Sequence, residues 1–332
     1  MDLNGKSVLV TGGTGSFGRA FIQTVLKDYP SVKRLVVVSR DEQKHHEMMT
    51  ELSPKQFSAL EYRLGDVRDK NRMMELFRGI DIVVHAAAMK HVPASELNPM
   101  ECVKTNILGS QHVIDAAQYN RVKVVVALST DKASSPSNFY GASKLCLEKL
   151  FIHADSQKRD ADIRYSVVRY ANVFGSKGSV IPLFLKLKDT GVLPVTHPDM
   201  TRFSITIDKA VELVYFAIQN GWGGEIVLPI CPSYRLLDVA KAIAPDAEYR
   251  ILGARPGEKM HETMFTEIDA PYTARRDEYY VICPITGTAK WDRDMYCNKT
   301  GATPVPVGMD YDSGKNVQWL KVTDIHKQLS LV

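Results

Sequence analysis

The chain has 332 residues, 45% hydrophobic and 24% charged, with a formal net charge of +4. That is an ordinary globular composition, with room for one large domain or two modest ones. The charge is spread along the chain and no apolar run reaches membrane-spanning length, so neither a nucleic-acid footprint nor a membrane span is expected.

Five scattered cysteines form no C-x-x-C pair, and the nine histidines include no H-E-x-x-H. Neither a disulfide framework nor a metal site is expected. The first apolar run begins at Ser7 with no signal peptide before it, so a soluble cytoplasmic protein is expected.

The first half alternates apolar runs with amphipathic stretches, the pattern of βαβ units on a parallel sheet. Strands are expected at Ser7–Thr11, Arg34–Ser39, Glu61–Leu64, Asp81–Ala86, Lys123–Leu128 and Arg164–Arg169. Several runs are continuous rather than alternating, as in strands covered on both faces.

Between the first two strands, Thr11-Gly12-Gly13-Thr14-Gly15-Ser16-Phe17-Gly18 opens a helix expected over Phe17–Lys27 with Ser16 as its cap. The glycines allow a tight turn and close approach to a pyrophosphate, which the helix N-terminus attracts. Strand, loop, helix and second strand follow in the order that a dinucleotide site requires.

The second strand ends in Ser39-Arg40, where an acidic residue usually holds the ribose of NAD. Serine and arginine suit a 2′-phosphate instead, pointing to NADP, although Asp41 and Glu42 lie within reach of the ribose. Gly65-Asp66-Val67 fits an adenine contact, with a helix cap as the equal alternative for Asp66.

A helix is expected over Cys102–Asn120. Residues 129–144 then carry the densest chemistry: Asp131 beside Lys132, followed by Tyr140 and Lys144 at helical spacing. Oxidation of an alcohol needs one proton acceptor. Elimination of water also needs a base for a carbon acid and an acid for the leaving hydroxyl. The cluster suggests oxidation coupled to dehydration.

After Tyr170 the chain becomes rich in Gly and Pro. A long ordered loop is expected over 171–203 with a helix near Leu183–Asp189, then a helix over Asp208–Asn220 and a strand over Glu225–Ile230. The expected architecture is an α/β doubly wound parallel sheet with a smaller interleaved C-terminal lobe. Residues 1–170, joined by 204–230, would bind dinucleotide, while 171–203 and 231–332 would bind substrate.

The glycine signature, His85-Ala86-Ala87-Ala88, Asn106 and Tyr140-x-x-Ser143-Lys144 resemble an extended short-chain dehydrogenase/reductase. Further segments resemble the inverting UDP-N-acetylglucosamine 4,6-dehydratases of the pseudaminic acid pathway. They are Ser39-Arg40-Asp41-Glu42, Met89-Lys90-His91-Val92-Pro93, Ser129-Thr130-Asp131-Lys132, Arg169-Tyr170-Ala171-Asn172-Val173 and Arg255-Pro256-Gly257-Glu258-Lys259. The resemblance runs from residue 6 to Leu320, with Ala171 standing where glycine is commoner.

That resemblance implies NADP contacts at Gly12, Thr14, Gly15, Ser16, Phe17, Gly18, Ser39, Arg40, Asp66, Val67, Ala87, Tyr140, Lys144 and Val173. Tyr140 would take the sugar O4 proton, its phenol lowered from an ordinary value near ~10 by a neighbouring ammonium and the oxidised nicotinamide. Lys144 would anchor the nicotinamide ribose, and Thr130 would hydrogen-bond O4. Lys132, neutral, would take the C5 proton, and Asp131, protonated, would release the C6 hydroxyl. Lys90, Asn172, Arg202, Arg255 and Glu258 would hold the nucleotide, whereas His91 and His261 are read as loop-holding residues.

Resemblance, not spacing, supports inversion at C5 and a homo-oligomer. A retaining dehydratase or a UDP-sugar C4 epimerase would use the same scaffold. A silent NADP-binding protein would have no use for Asp131, Lys132, Tyr140 and Lys144.

Overall fold

A computed structural model of the chain describes residues 2–158, 162–176, 179–285 and 291–330. Six strands rise in the first half: β1 (Ser7–Thr11), β2 (Arg34–Ser39), β3 (Leu60–Leu64), β4 (Ile82–His85), β5 (Val124–Thr130) and β6 (Arg164–Tyr170). Every residue of β1, β4 and β5 is buried, which accounts for the unbroken apolar runs.

After β6 come three short strands, β7 (Asn172–Val173), β8 (Val192–Val195) and β9 (Thr201–Ile205). The next, β10 (Ile226–Pro229), rejoins the sheet parallel to β6. Three more, β11 (Ser233–Arg235), β12 (Glu248–Ile251) and β13 (Thr263–Phe265), lie outside it. The antiparallel β14 (Thr273–Arg276), β15 (Tyr279–Ile282) and β16 (Thr303–Pro304) extend its far edge.

The sheet reads β16-β14-β15-β10-β6-β5-β4-β1-β2-β3. Its parallel part has the Rossmann order, in which ligands bind beyond the carboxyl ends of the strands, where β1 and β4 diverge. The expected α/β doubly wound sheet is present. Its antiparallel extension was not foreseen, because strands of four residues or fewer leave little periodicity to read.

The crossover helices are α1 (Ser16–Asp28), α2 (Glu42–Glu51), α3 (Lys70–Leu76), α4 (Val92–Leu97), α5 (Pro99–Cys102), α6 (Gly109–Tyr119) and α7 (Phe139–Ser156). Ser16 does not cap α1: it is the first helical residue, behind an extended Gly15 that has no side chain to offer. The first-turn N–H groups therefore have no side-chain cap. The helix expected over Cys102–Asn120 is interrupted by a π-helical turn over Val103–Leu108.

The segment 171–203 holds more structure than expected. Its helix α8 (Val180–Leu187) starts three residues early, and β7 to β9 lie in what reads as loop. Residues 177 and 178 of that segment lie outside the described residues. Helix α9 (Ile207–Asn220) covers the sheet near β6, and α10 (Leu236–Ile243) packs on α8.

One apolar core surrounds the large sheet. A second, smaller one forms from Ile181, Phe184, Leu193, Val195, Val239 and Ile325. Among the described residues no helix is long and apolar enough to cross a membrane.

Candidate active site

Strand β5 delivers Thr130 to the carboxyl edge of the sheet, and the chain turns at once through a 3-10 turn, Asp131–Ala133. Asn138 caps α7 by accepting from the Gly141 N–H at 2.9 Å. Gly141 packs with its backbone against the Lys132 carbonyl, leaving no space for a Cβ. That contact seats the first turn of α7 on the 3-10 turn and sets Tyr140 beside Thr130.

The result is a connected acid–base chain. The Thr130 hydroxyl partners the Tyr140 phenol and donates to Asp131 Oδ1 at 2.9 Å. Lys132 Nζ lies 3.1 Å from the same Oδ1, 3.2 Å from Asn172 Oδ1 and 3.2 Å from Glu262 Oε1. Asp131 is fully buried and Glu262 is 3% exposed. Asp131 Oδ2 and Glu262 Oε2 are both buried with no hydrogen-bond partner among the described residues.

Two expectations about charge need correction. Burial opposes the ammonium of Lys132, but the carboxylates of Asp131 and Glu262 outweigh it and raise the pKa above the usual lysine value. In the free protein Lys132 is a held cation, not a neutral amine. Tyr140 is likewise not lowered: burial pushes its phenol up to about 12, against smaller opposite effects from Lys132 and Thr130. Lys144, 3% exposed, is lowered to about 8 by burial, with Glu148 opposing. Tyr140 and Lys144 do share one face of α7, one turn apart.

The glycine loop fits a dinucleotide pyrophosphate. Gly12 adopts a φ of +67°, and a Cβ there would sit 2.8 Å from Ala87 N. A Cβ at Gly18 would strike the Gly13 backbone, so glycine lets α1 pack tightly on the loop. Thr14 and Phe17 are buried in this loop and helix start, and Ser16 is exposed. Thr14 Oγ1 donates to Ser39 Oγ at 2.9 Å, tying the loop to the end of β2.

Arg40 is exposed and acts electrostatically on Asp66. Asp41 is committed as the cap of α2, accepting from the Lys44 N–H at 3.0 Å. Asp66 is not a helix cap, since Asp69 caps α3; it pairs with Arg68 at 2.6 Å. Val67 is buried beside it. Ala87 donates its N–H to Thr11 Oγ1 at 3.3 Å, and Val173 lies half-buried on β7.

The five residues expected on the nucleotide lie in different elements. Asn172 is turned onto Lys132. Arg202 is 9% exposed and donates to the carbonyls of Thr201 and Met260, at 2.7 and 3.3 Å. Arg255 is exposed and pairs with half-buried Glu258, while Lys90 stands exposed after β4. His261 Nδ1 meets Thr201 Oγ1 at 2.8 Å, the loop-holding role expected of it. Glu262, one residue on, escaped the sequence reading. The one clue was its place directly after Arg255-Pro256-Gly257-Glu258-Lys259-Met260-His261.

Residues 8–284, from β1 to just past β15, match the family described as polysaccharide biosynthesis protein. The chain belongs to that family. It is 44% identical over 320 residues to an inverting UDP-N-acetylglucosamine 4,6-dehydratase of Campylobacter jejuni, covering 95% of each chain. A UDP-glucose 4-epimerase of Rickettsia conorii is 39% identical, covering 98% of this chain and 95% of its own. Among solved structures, Pen from Bacillus thuringiensis superposes with a TM-score of 0.89 at 32% identity, covering 100% of this chain and 99% of that one. Both of these relatives act, by their names, on UDP-sugars.

Proposed function

We propose that the protein is an inverting UDP-N-acetylglucosamine 4,6-dehydratase. One observation carries the reading: an acid and an amine, Asp131 and Lys132, meet at 3.1 Å on the same hydrogen-bonded chain as Tyr140. An epimerase needs only the tyrosine's proton transfer. Dehydration needs a second acid–base pair, and the contact of Lys132 with Asp131 supports that reading.

A bound nicotinamide would take hydride from sugar C4 and later return it to C6. Tyr140 would be ionised only in the loaded enzyme, by the positive charge of the oxidised nicotinamide together with Lys144, and as phenolate it takes the O4 proton, with Thr130 steadying it. The C5 proton, now α to a carbonyl, goes to Lys132, while Asp131 gives a proton to the departing C6 hydroxyl. The free protein holds the opposite charges, Lys132 as cation and Asp131 as its counterion. Moving one proton from Nζ to Oδ1 across their contact arms both groups at once. With hydride returned to C6 and a proton delivered to C5 from the face opposite the one it left, the product is UDP-2-acetamido-2,6-dideoxy-β-L-arabino-hexos-4-ulose.

NADP is the proposed cofactor. Arg40 is exposed at the end of β2 beside Ser39, and Asp41 is occupied as a helix cap. Lys144 and the glycine loop serve the nicotinamide and pyrophosphate ends. Arg255 and Glu258, with Lys90, are proposed for the nucleotide; Asn172 and Arg202 serve the sugar end, given their contacts. A cytoplasmic homo-oligomer working in pseudaminic acid synthesis completes the reading. The five free cysteines support the first part, and the oligomer rests on resemblance to the family.

Proton NMR with UDP-N-acetylglucosamine in deuterated water tests this. A new C6 methyl signal, deuterium at C5 and L-arabino couplings are expected. A D-xylo product would sink the inversion. A galacto-configured product would favour the epimerase reading that the Rickettsia relative keeps alive.

A further inference from the structure

Lys132 touches two carboxylates, and only one of them has a place in the reaction so far. Glu262 approaches from a different part of the chain, just before β13, with Oε1 3.2 Å from Lys132 Nζ. It is 3% exposed, and burying a carboxylate there costs free energy unless it is paired. Its backbone is fixed too: the Glu262 N–H donates to Ser313 Oγ at 2.8 Å, and Ser313 meets Thr201 Oγ1 at 2.7 Å. A side chain so anchored presents its charge at one point.

We propose that Glu262 is a positioning residue for the elimination step, its carboxylate clamping the Lys132 amine against Asp131 and governing when that amine gives up its proton. The proposal rests on the reading of Lys132 as the C5 base. The proton concerned leaves Nζ for Asp131 Oδ1, so a cation and an anion become an amine and an acid with no proton gained or lost. Glu262 favours the cation and so resists the transfer until substrate is in place.

Other charges face the same point and set the balance. Arg202 on β9 stands with Nε 3.7 Å from Glu262 Oε1, and its charge opposes the Lys132 cation. Lys259 acts in the same direction from its bond to the Ser134 carbonyl at 2.8 Å. Among the described residues Tyr140 on α7 and Tyr234 on β11 also face Lys132, while Arg169 on β6 and Cys231 after β10 act on Asp131. Asp131 and Glu262 are therefore the two anions that hold the proton on Lys132, and Glu262 is the one outside the 3-10 turn.

The test is the pH profile of kcat for C6-methyl formation from UDP-N-acetylglucosamine, in wild type, Glu262→Gln and Glu262→Asp. The active form carries one proton shared between Lys132 and Asp131, so activity falls on the acid side as the pair takes up a second proton and on the alkaline side as it loses its last. Glu262→Gln keeps the shape and removes the charge. Its acid limb should move down by at least about one pH unit. Its kcat should change, with KM held within about threefold because the residue does not face the nucleotide. Glu262→Asp keeps the charge one methylene further away, and its limb should lie between the other two. It decides the matter alone if the glutamine variant does not fold.

Limbs that coincide with wild type in either folded variant would overturn the proposal. Failure of the underlying reading looks different: Lys132→Met would then go on releasing the C6-methyl product.

Discussion

The α-carbon of Gly141 lies so close to the carbonyl of Lys132 that any side chain there would collide with it. The helix carrying Tyr140 and Lys144 and the turn carrying Asp131 and Lys132 are thus held together by a missing methyl group. Replacing Gly141 with Ala forces backbone atoms apart, since a carbonyl cannot rotate out of the way as a side chain can. Overpacking of this kind costs about 1–3 kcal/mol. Activity should fall by more than that stability loss implies, because Tyr140 and Lys132 separate. Thermal unfolding and kcat, measured on Gly141→Ala, check both.

Asp131 and Lys132 should fail in different ways. Lys132→Met removes the carbon-acid base, so no deuterium should enter C5 from solvent. Asp131→Asn removes both the acid that releases the hydroxyl and the acceptor that frees the Lys132 amine, with Glu262 still beside it, so C5 exchange should survive only at alkaline pH while C6-methyl product nearly stops. Each kcat should fall by about 10²- to 10⁴-fold. Equal exchange in both variants would refute the division of roles.

His85 should make the protein acid-sensitive. It is fully buried, and burial lowers its pKa to about 3. Its Nδ1 is 2.8 Å from Thr11 Oγ1 and its Nε2 is 3.2 Å from Ser110 Oγ, which itself donates to the Asn106 carbonyl. Ser110 has spent its proton, so Nε2 carries the ring hydrogen and Nδ1 accepts from Thr11. The unfolded chain binds a proton near pH ~6.5 and the folded one does not. The stability is therefore complete above that pH and is lost as pH falls toward 3, by up to roughly 4–5 kcal/mol. A melting-temperature series from pH 7 to 4 should steepen in wild type and flatten in His85→Gln, if that variant folds.

Lys144 should give the cofactor a pH limit. Burial lowers its ammonium to about 8, so the charge proposed to hold the nicotinamide ribose is lost as pH rises through that value. The unfolded lysine titrates near ~10.4, so this same group makes folding more favourable between about 8 and 10.4 even as binding weakens. NADP affinity followed by fluorescence titration from pH 6 to 10 should decline above 8. Lys144→Met should bind more weakly and show no such decline.

Arg169 and Glu148 form a buried pair at 2.6 Å that ties β6 to α7, one turn beyond Lys144. Glu148 also accepts from Ser129 Oγ at 2.6 Å, and Arg169 reaches the Met264 carbonyl. Arg169→Met leaves the carboxylate buried alone and should cost about 3–5 kcal/mol. Adding Glu148→Gln should recover part of the loss in chemical denaturation.

The parallel sheet was legible because burial on both faces demands apolar residues at every position. The expected Ser7–Thr11 and Arg34–Ser39 agree with β1 and β2 residue for residue, and the other four runs agree within two residues at each end. Tyr140, Lys144, Asp131 and Lys132 were legible because they lie within one local segment. Contacts across long stretches of chain were not. Nothing in the spacing of Lys132 and Glu262, or of Lys132 and Asn172, marks them as neighbours; their meeting depends on how β7 and β13 are placed. The charge state of Lys132 was misread for the same reason, since its second carboxylate comes from that distant segment.

The partner of β6 on one side is β10, whose first residue, Ile226, follows the end of β6 by more than fifty positions, and β15 closes on β10 only at Tyr279–Ile282. Between them the chain departs to make β7, β8 and β9. During synthesis β6 must therefore wait, one edge bare, while the segment that later surrounds Lys132 is still being made. A chain stopped before β10 would present that open edge to its neighbours, and one stopped between β10 and residue 282 would present the edge of β10 instead. Truncations of the C-terminal third should consequently aggregate rather than survive as small cofactor-binding proteins.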